Sequence, residues 1–261
     1  MLTTRSGIRF GILGEKRTAP APTLLILANS TAGTLGDPYF LQAGRLLSPQ
    51  GYLCVSLDLP CHGEQQRDGE PEGLRGWRHR FDVGEPFLAE FVARASEVLE
   101  HLVQEHYTQP AKIAVTATSR GGFAALHLMA SNARIKCAAL ICPVTNLAAL
   151  EEFHTVRESK QAAALSMLNA MNLADTLAGR PLWIVIGDRD ERVDTDQTIA
   201  LARKLSASAH TQQRASQVEL HVLSEPRGHT TPAGAVEASA TWIEQQMNVD
   251  DHHTPMPRQT N

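Results

Sequence analysis

The sequence predicts an α/β fold in which helices cover both faces of a mostly parallel central sheet. Two observations support this prediction. Strand-like runs alternate with helical patterns along the chain, and most of these runs are apolar throughout. Strands that are apolar at every position are typical of a parallel sheet buried on both faces. The 261 residues are enough for one large domain of this kind or for two small ones.

Each predicted strand is a short run of apolar and β-branched residues. Residues 3–14 are only moderately β-like, and the alternating Ala and Pro of residues 19–22 break the pattern. The clearer strands lie at residues 24–28, 52–59, 113–118, 137–142, 182–187 and 218–223. Their length and apolar character predict buried strands rather than helices.

The helices are predicted from capping residues and from apolar residues that recur on one face. Asp37 can cap a helix over about residues 37–47, and Pro38 is tolerated in its first turn. The segment 87–106 has the spacing of one buried face, with apolar residues at Phe87, Phe91, Ala95, Val98 and Leu102. Further helices are predicted at 123–130, 194–207 and 233–247, and residues 147–178 are mostly helical.

Two long stretches between these elements are predicted as loops. Residues 29–36 are rich in Ser, Thr and Gly, and residues 60–86 contain seven Gly and Pro ahead of Pro86. No internal repeat and no interior linker is present, so we expect one domain over residues 1–247. The tail at 248–261 has no apolar period and is expected to be loose. Its His252-His253 pair could bind a metal, but a solvated tail is favoured, and no metal is expected.

Composition and charge argue against several classes of function. The formal net charge is −4 and no stripe of Lys or Arg is present, so no nucleic-acid partner is expected. No apolar run approaches the roughly 18 residues that span a membrane. The N-terminal region lacks the apolar core of a signal peptide, which predicts a cytoplasmic protein. The four cysteines form no C-x-x-C pair, and three of them lie in apolar strand-like runs.

A serine stands between a predicted strand and a predicted helix. Residues 117–121 read A-T-S-R-G and resemble the G-x-S-x-G nucleophile elbow, with Ala117 in place of the first glycine. Strand and helix approach closely at such a turn, so the positions two before and two after Ser119 must be small, as Ala117 and Gly121 are. The alternative is that Ser119 only caps the helix that follows.

An acid and a histidine follow the ends of two further predicted strands. Asp190 comes shortly after the strand at 182–187, and His229 follows the strand at 218–223. Because the carboxyl ends of parallel strands meet at one edge of a sheet, we expect Ser119, Asp190 and His229 to lie together there. In that arrangement His229 takes the proton of Ser119, and Asp190 fixes the imidazole tautomer.

Together these segments resemble the α/β-hydrolase fold over about residues 5–247. The likeness is to single-domain esterases, to dienelactone hydrolases and to the catalytic domains of prolyl oligopeptidases. Four segments carry it: A-T-S-R-G-G at 117–122, G-D-R-D-E-R-V at 187–193, R-G-H at 227–229 and D-L-P-C-H-G-E at 58–64. The resemblance implies an α/β-hydrolase fold with at most a small helical cap at about residues 147–178. Dienelactone hydrolases use a cysteine nucleophile, so Ser119 counts against that activity.

Two other carboxylates, Asp188 and Asp194, compete with Asp190 for the role of the acid. The family places the acid three residues after the glycine that ends the strand, which selects Asp190, and Asp194 is expected to cap the next helix. His62, in a Pro-x-His-Gly turn, is implied by the resemblance to be structural. Cys61 beside it is expected to be inert.

The resemblance also implies an oxyanion hole built from two backbone N–H groups. One belongs to Arg120, the residue after the nucleophile. The other belongs to the loop after the third strand, where Ser30 or Thr31 is the candidate and the His-Gly pair of many relatives is absent. The Arg120 side chain either binds a substrate carboxylate or pairs with a neighbouring acid.

Substrate contacts can also come from the 60–86 loop, which carries basic residues close to a tryptophan. Trp77 and His79 are candidates for lining a pocket for an acidic or sugar-like substrate. The alternative, which is slightly favoured, is a loop packed on the domain surface with Trp77 buried as its anchor.

These predictions indicate a serine hydrolase that cleaves small or medium carboxylic esters through an acyl-enzyme, without a cofactor. Its expected partner is a small-molecule ester, and the oligomeric state is left open. A prolyl-oligopeptidase-like peptidase or amidase is the related alternative, although the 261 residues are not expected to include a propeller domain that gates peptides. A non-catalytic ligand-binding member of the fold is the alternative from another class.

Overall fold

An eight-stranded sheet organises residues 1–249, the part of the chain that the computed structural model describes. The strands are β1 (Leu2–Thr3), β2 (Arg9–Leu13), β3 (Ala21–Leu27), β4 (Leu53–Ser56), β5 (Thr108–Thr118), β6 (Ile135–Ile141), β7 (Leu182–Gly187) and β8 (Val218–Leu223). In space their order is β1-β2-β4-β3-β5-β6-β7-β8. The pairs β1/β2 and β2/β4 are antiparallel, and every later pair is parallel. The prediction of a mostly parallel sheet is confirmed.

Helices cover this sheet on both faces. They are α1 (Thr31–Gly36), α2 (Pro38–Leu41), α3 (Gly44–Leu47), α4 (Gly73–Asp82), α5 (Phe87–Gln104), α6 (Arg120–Ser131), α7 (Ala162–Met167), α8 (Ala174–Leu177), α9 (Thr195–Thr211) and α10 (Ala235–Asn248). One group, α5, α6, α8 and α9, packs in series, whereas α3 packs against α10. Strands β3, β6 and β7 are buried along almost their whole length, as strands covered on both faces must be.

The predicted tail falls mostly outside the described residues. Helix α10 ends at Asn248, one residue past the predicted end of the domain. The His252-His253 pair lies outside the described residues. Within residues 1–249 no helix combines the length and the apolar character needed to cross a membrane.

Two predictions for the region between β3 and β4 are wrong. The stretch at 29–36 contains α1, because the Ser30 hydroxyl accepts a hydrogen bond from the Gly33 N–H at 3.1 Å and caps a helix. The helix predicted over 37–47 is broken into α2 and α3 at Gln42, which adopts a φ of 51°. This break brings Gly44 so close to the sheet that a Cβ there would press on Ile26 of β3.

The prediction of a continuous loop at 60–86 is also wrong, because this segment contains α4. Trp77 of α4 is fully buried and donates its indole N–H to the Pro60 carbonyl at 2.8 Å. Its ring packs against Phe87 and Phe123, with ring centroids 5.4 and 6.3 Å away. Trp77 therefore anchors the segment to the domain.

A buried ion pair holds the same segment in place. The guanidinium of Arg80 donates to both carboxylate oxygens of Glu70 at 2.6 and 2.7 Å. The two side chains are only 5% and 4% exposed. The hydrogen bonds from Arg80 are the largest cause that lowers the pKa of Glu70, which falls from 4.5 to about 2.

We expect Arg80→Met to lower the free energy of unfolding by about 3–5 kcal/mol, because it leaves the Glu70 carboxylate buried without a partner. Urea denaturation at pH 7 measures this loss. Arg67→Met is the matched control, since Arg67 pairs with Glu85 at the surface and is 56% exposed. Its loss should stay below about 1 kcal/mol. Equal losses in the two variants would contradict the prediction.

The buried pair also predicts a pH dependence of stability. The pKa of Glu70 is lower in the folded protein, so its contribution is complete above the unfolded value of 4.5 and is lost as pH falls towards about 2. The difference in stability between wild type and Arg80→Met should therefore shrink over that window.

The segment at 147–178, for which a small helical cap was predicted, lies beside α4. It consists of short turns of 3₁₀ helix together with α7 and α8. Arg78 of α4 donates to the Glu152 carbonyl and to the Thr155 hydroxyl, both at 2.9 Å. The cap and α4 thus contact each other above the carboxyl end of the sheet.

Candidate active site

Ser119 occupies the sharp turn between β5 and α6. Its φ of 53° and ψ of −121° form a strained conformation for a residue with a side chain. At Gly121 a Cβ would overlap the Leu27 carbonyl of β3, which explains why this position must be glycine. Ala117, in place of the usual first glycine, is 1% exposed and fits at the end of β5. The turn therefore has the geometry of a nucleophile elbow.

His229 lies between Ser119 and Asp190. Its Nε2 is 3.0 Å from the Ser119 Oγ, and its Nδ1 is 2.8 Å from the Asp190 Oδ2. The three side chains come from loops that follow β5, β7 and β8. The residues predicted from three strand ends thus lie in hydrogen-bonding contact.

Backbone N–H groups orient the Asp190 carboxylate. The N–H groups of Arg192 and Val193 donate to its Oδ1 at 3.2 Å each, which leaves Oδ2 for His229. The carboxylate is fully buried, so it has no competing contact with solvent. An ionised carboxylate only accepts hydrogen bonds, which requires the proton of neutral His229 on Nδ1 and leaves Nε2 free to accept from Ser119.

The two competing carboxylates have other contacts. Asp188 accepts from the Glu225 N–H at 2.8 Å and supports the loop that leads to His229. Asp194 caps α9, where it accepts from the Asp196 N–H at 3.0 Å. Within residues 1–249 neither of them contacts His229.

The loop after β3 offers one candidate for the second oxyanion donor. The Thr31 N–H already donates to the Asp58 carboxylate at 2.6 Å, and the Asn29 N–H donates to the Thr34 hydroxyl at 3.2 Å. The Ser30 N–H has no acceptor within residues 1–249. Of the two residues predicted here, Ser30 alone therefore keeps a free donor.

A cavity of about 460 Å³ adjoins these residues. The cap and α4 provide its far wall. Of its lining residues, Asn29 and Arg120 adjoin Ser30 and Ser119 in the chain, and Arg192 lies two residues after Asp190. The cavity is lined by Asn29, His62, Glu72, Gly73, Leu74, Arg75, Arg120, Glu152 and Arg192. This volume suits a small-molecule substrate.

Two residues predicted to line the pocket lie elsewhere. Trp77 is fully buried beneath α4, and His79 is exposed on the outer face of that helix. Helical spacing is the reason: Gly73 and the next two residues face the cavity, whereas the following turn faces the core and the solvent.

His62 and Arg120 form a hydrogen-bonded pair in the cavity. The His62 Nδ1 lies 2.8 Å from the Pro60 carbonyl, so it carries the proton, and Nε2 accepts from Arg120 Nη1 at 2.9 Å. Burial, and also the charge of Arg120, lower the pKa of His62, which keeps the imidazole neutral. Cys61 next to it is buried, and burial raises its pKa to about 12, in agreement with an inert thiol.

A second arginine in the cavity has a carboxylate partner. Arg192 donates to both oxygens of Glu152 at 2.9 and 2.5 Å. Burial alone would raise the pKa of Glu152, but the hydrogen bonds and charge of Arg192, together with the charge of Arg120, lower it overall. Glu152 was not identified from the sequence, and His62 was predicted only as a structural residue. Arg192 stood in the G-D-R-D-E-R-V segment, two residues after the predicted acid.

The same fold occurs in solved structures of proteins from several sources. TT1662 from Thermus thermophilus matches with a TM-score of 0.72 at 21% identity, over 95% of this chain and 97% of that one. A candidate dienelactone hydrolase from Klebsiella pneumoniae matches with a TM-score of 0.68 at 14% identity, with the same coverage of 95% and 97%. A cold-adapted esterase from an Arctic intertidal metagenomic library matches with a TM-score of 0.65 at 20% identity, over 94% and 91%.

At these identities the likeness establishes the shared α/β-hydrolase fold alone. No curated protein sequence matches the chain. A family model does match: that of the prolyl oligopeptidase family, peptidase S9, covers residues 89–249. This range is more than half of the chain and includes Ser119, Asp190 and His229. The chain therefore belongs to the prolyl oligopeptidase family.

Proposed function

We propose that the protein is a serine hydrolase that cleaves carboxylic esters of small to medium substrates through an acyl-enzyme. The observation that carries this proposal is the unbroken hydrogen-bonded series from Ser119 Oγ through the His229 ring to Asp190, with distances of 3.0 and 2.8 Å. A serine is a weak nucleophile until a base takes its proton, and this series supplies the base and its orienting group.

The proposed reaction has two halves. As Ser119 Oγ attacks the ester carbonyl, His229 Nε2 takes the hydroxyl proton and then delivers it to the departing alcohol. The acyl group is left on Ser119. His229 next takes a proton from a water molecule, which attacks the acyl carbon. The bond between that carbon and Ser119 Oγ then breaks, His229 returns the proton to Oγ, and the acid is released. The charge that the imidazole ring gains in each half is balanced by the buried carboxylate of Asp190.

The oxyanion of each tetrahedral intermediate needs two aligned donors. We assign these to the backbone N–H of Arg120, at the N-terminus of α6, and to that of Ser30. Thr31 is not assigned, because its N–H donates to Asp58. The positive end of the α6 dipole adds to the stabilisation of the developing charge.

Cleavage of peptides or other amides is the second candidate, because the family takes its name from an oligopeptidase. The two activities differ in the leaving group, since an amine must be protonated before it departs. Comparing kcat/KM for p-nitrophenyl esters with that for p-nitroanilides of the same acyl group separates them. We expect the ratio of kcat/KM for the ester to kcat/KM for the anilide to exceed the ratio of the uncatalysed hydrolysis rates of the two compounds.

We expect a fluorophosphonate probe to label the protein once per chain, at Ser119. The phosphorus is attacked by an activated serine, so a ligand-binding member of the fold would remain unlabelled. Mass spectrometry of the intact protein counts the adducts, and peptide mapping locates them. Absence of labelling, or labelling at a different residue, would count against the proposed nucleophile.

A further inference from the structure

A cation lies directly beside the proposed nucleophile. Arg120 is the first residue of α6, and its side chain lines the cavity of about 460 Å³. Its Nη1 bonds to the neutral ring of His62, while its Nε is buried and has no hydrogen-bond partner within residues 1–249. A buried donor without an acceptor costs free energy, so this guanidinium is suited to bind an added acceptor.

No carboxylate within residues 1–249 forms a salt bridge with Arg120. Within residues 1–249 no Asp or Glu oxygen lies within 4.0 Å of its guanidinium. The nearby Glu152 has both oxygens bound to Arg192. Burial and the charge of Arg192 lower the pKa of Arg120, and the more distant charges of Glu152 and Glu72 offset this lowering only in part. The structural alternative for Arg120, a salt bridge to a neighbouring acid, is therefore not realised.

The surroundings fix the position of this guanidinium. His62 is itself held by the Pro60 carbonyl and orients Nη1 of Arg120. On the other side Gly73 begins α4 with a φ of +64°, and a Cβ there would come within 2.6 Å of Nη1. A side chain that is clamped in this way loses little freedom when a ligand binds.

The net charge of the cavity indicates the kind of ligand. Three arginines, Arg75, Arg120 and Arg192, face two glutamates, Glu72 and Glu152, and His62 is neutral. One positive charge is left over. A single excess positive charge is balanced by one carboxylate, but not by an uncharged group or by a doubly charged phosphate. Guanidinium groups bind carboxylates through paired N–H donors.

We propose that the cavity binds a carboxylate of the substrate through Arg120, so that the preferred substrates are esters that carry a free carboxylate near the scissile bond. This inference rests on the proposed ester hydrolysis for the position of the scissile bond. The binding of the carboxylate itself does not depend on turnover.

The test measures binding without turnover. The Ser119→Ala variant is titrated by calorimetry with two acid–amide pairs: monomethyl adipate and its amide, and 4-acetoxybenzoate and 4-acetoxybenzamide. These pairs place the carboxylate on the acyl and on the alcohol side of the ester. We expect at least one acid to bind about 10- to 100-fold more tightly than its amide, as for a hydrogen bond between charged groups. Adding Arg120→Gln should remove that preference.

A kinetic comparison tests the same role in the active protein. Arg120→Gln keeps the backbone N–H of the oxyanion hole and should raise KM for the acid ester by a much larger factor than it changes kcat or KM for the amide ester. Damage to the fold would instead lower kcat for both. Arg134 forms an exposed ion pair with Glu100, so Arg134→Gln is the control for the lost charge. It should change neither kcat nor KM for either ester.

The outcomes separate the two proposals. If neither acid outbinds its amide, or if the preference survives Arg120→Gln, the carboxylate site is wrong. If the amide esters are hydrolysed without any acid preference, ester hydrolysis stands and only the carboxylate site falls. If no ester is hydrolysed but an acid still binds more tightly than its amide, and this difference depends on Arg120, the carboxylate site is supported and the proposed reaction is wrong.

Discussion

Replacing Ser119 with alanine is expected to lower kcat for p-nitrophenyl esters by about 10⁴- to 10⁶-fold, the scale on which a triad nucleophile acts. Alanine removes the atom that would form the acyl-enzyme and keeps the Cβ, so the strained turn at φ 53° has no new clash. KM should change much less than kcat. A series of p-nitrophenyl esters of increasing chain length measures the loss and, in the wild type, the length of acyl group that the cavity accepts.

Ser131→Ala is the matched control for this loss. Ser131 is the last residue of α6, the helix that begins after Ser119, and it is exposed. The same substitution there should change kcat by less than about twofold and leave thermal unfolding unaltered. If Ser119→Ala keeps more than about one hundredth of the wild-type kcat while folding normally, Ser119 is not the nucleophile.

The position of the proposed triad could be predicted because it depends on topology more than on packing. Parallel strands end at one edge of the sheet, so a serine, an acid and a histidine that follow three strand ends must lie near one another. The strands that precede Asp190 and His229 were predicted with the bounds that the structure has, at 182–187 and 218–223.

The segment around α4 could not be predicted because two of its glycines belong to a helix rather than to turns. Gly73 begins the helix with a positive φ, and Gly76 lies so close to Cys61 and the Pro71 carbonyl that a Cβ would not fit. In the sequence the same glycines indicate a loop. The burial of Trp77 likewise depends on aromatic partners from α5 and α6, which local spacing does not identify.

The Arg120 contacts were hidden for a related reason. His62 and Arg120 are separated by 58 residues, and their hydrogen bond exists because the loop after β4 and the start of α6 meet at the same edge of the sheet. The choice of Ser30 over Thr31 depends in the same way on Asp58, which lies 27 residues further along the chain. Sequence reasoning found the residues at this edge but not the contacts between them.

Asp190→Asn is expected to lower kcat by about 10⁴-fold through the wrong imidazole tautomer. The N–H groups of Arg192 and Val193 donate to Oδ1, so the carbonyl oxygen of the new amide must take that position. The NH₂ group then faces His229 and donates to Nδ1. The ring proton moves to Nε2, which can no longer accept the proton of Ser119.

Asp188→Asn and Asp194→Asn make the same chemical change two residues before and four residues after Asp190. Both positions need only an oxygen that accepts a backbone N–H, from Glu225 and from Asp196, and asparagine supplies one. These variants should keep kcat within about threefold of the wild-type value, because the hydrogen bond to the backbone N–H is retained. Only the residue that orients Nδ1 of His229 can have so large an effect on kcat. A loss of about 10⁴-fold in either control would therefore assign the role of the acid to that carboxylate. Near wild-type activity in Asp190→Asn would likewise show that Asp190 is not the acid.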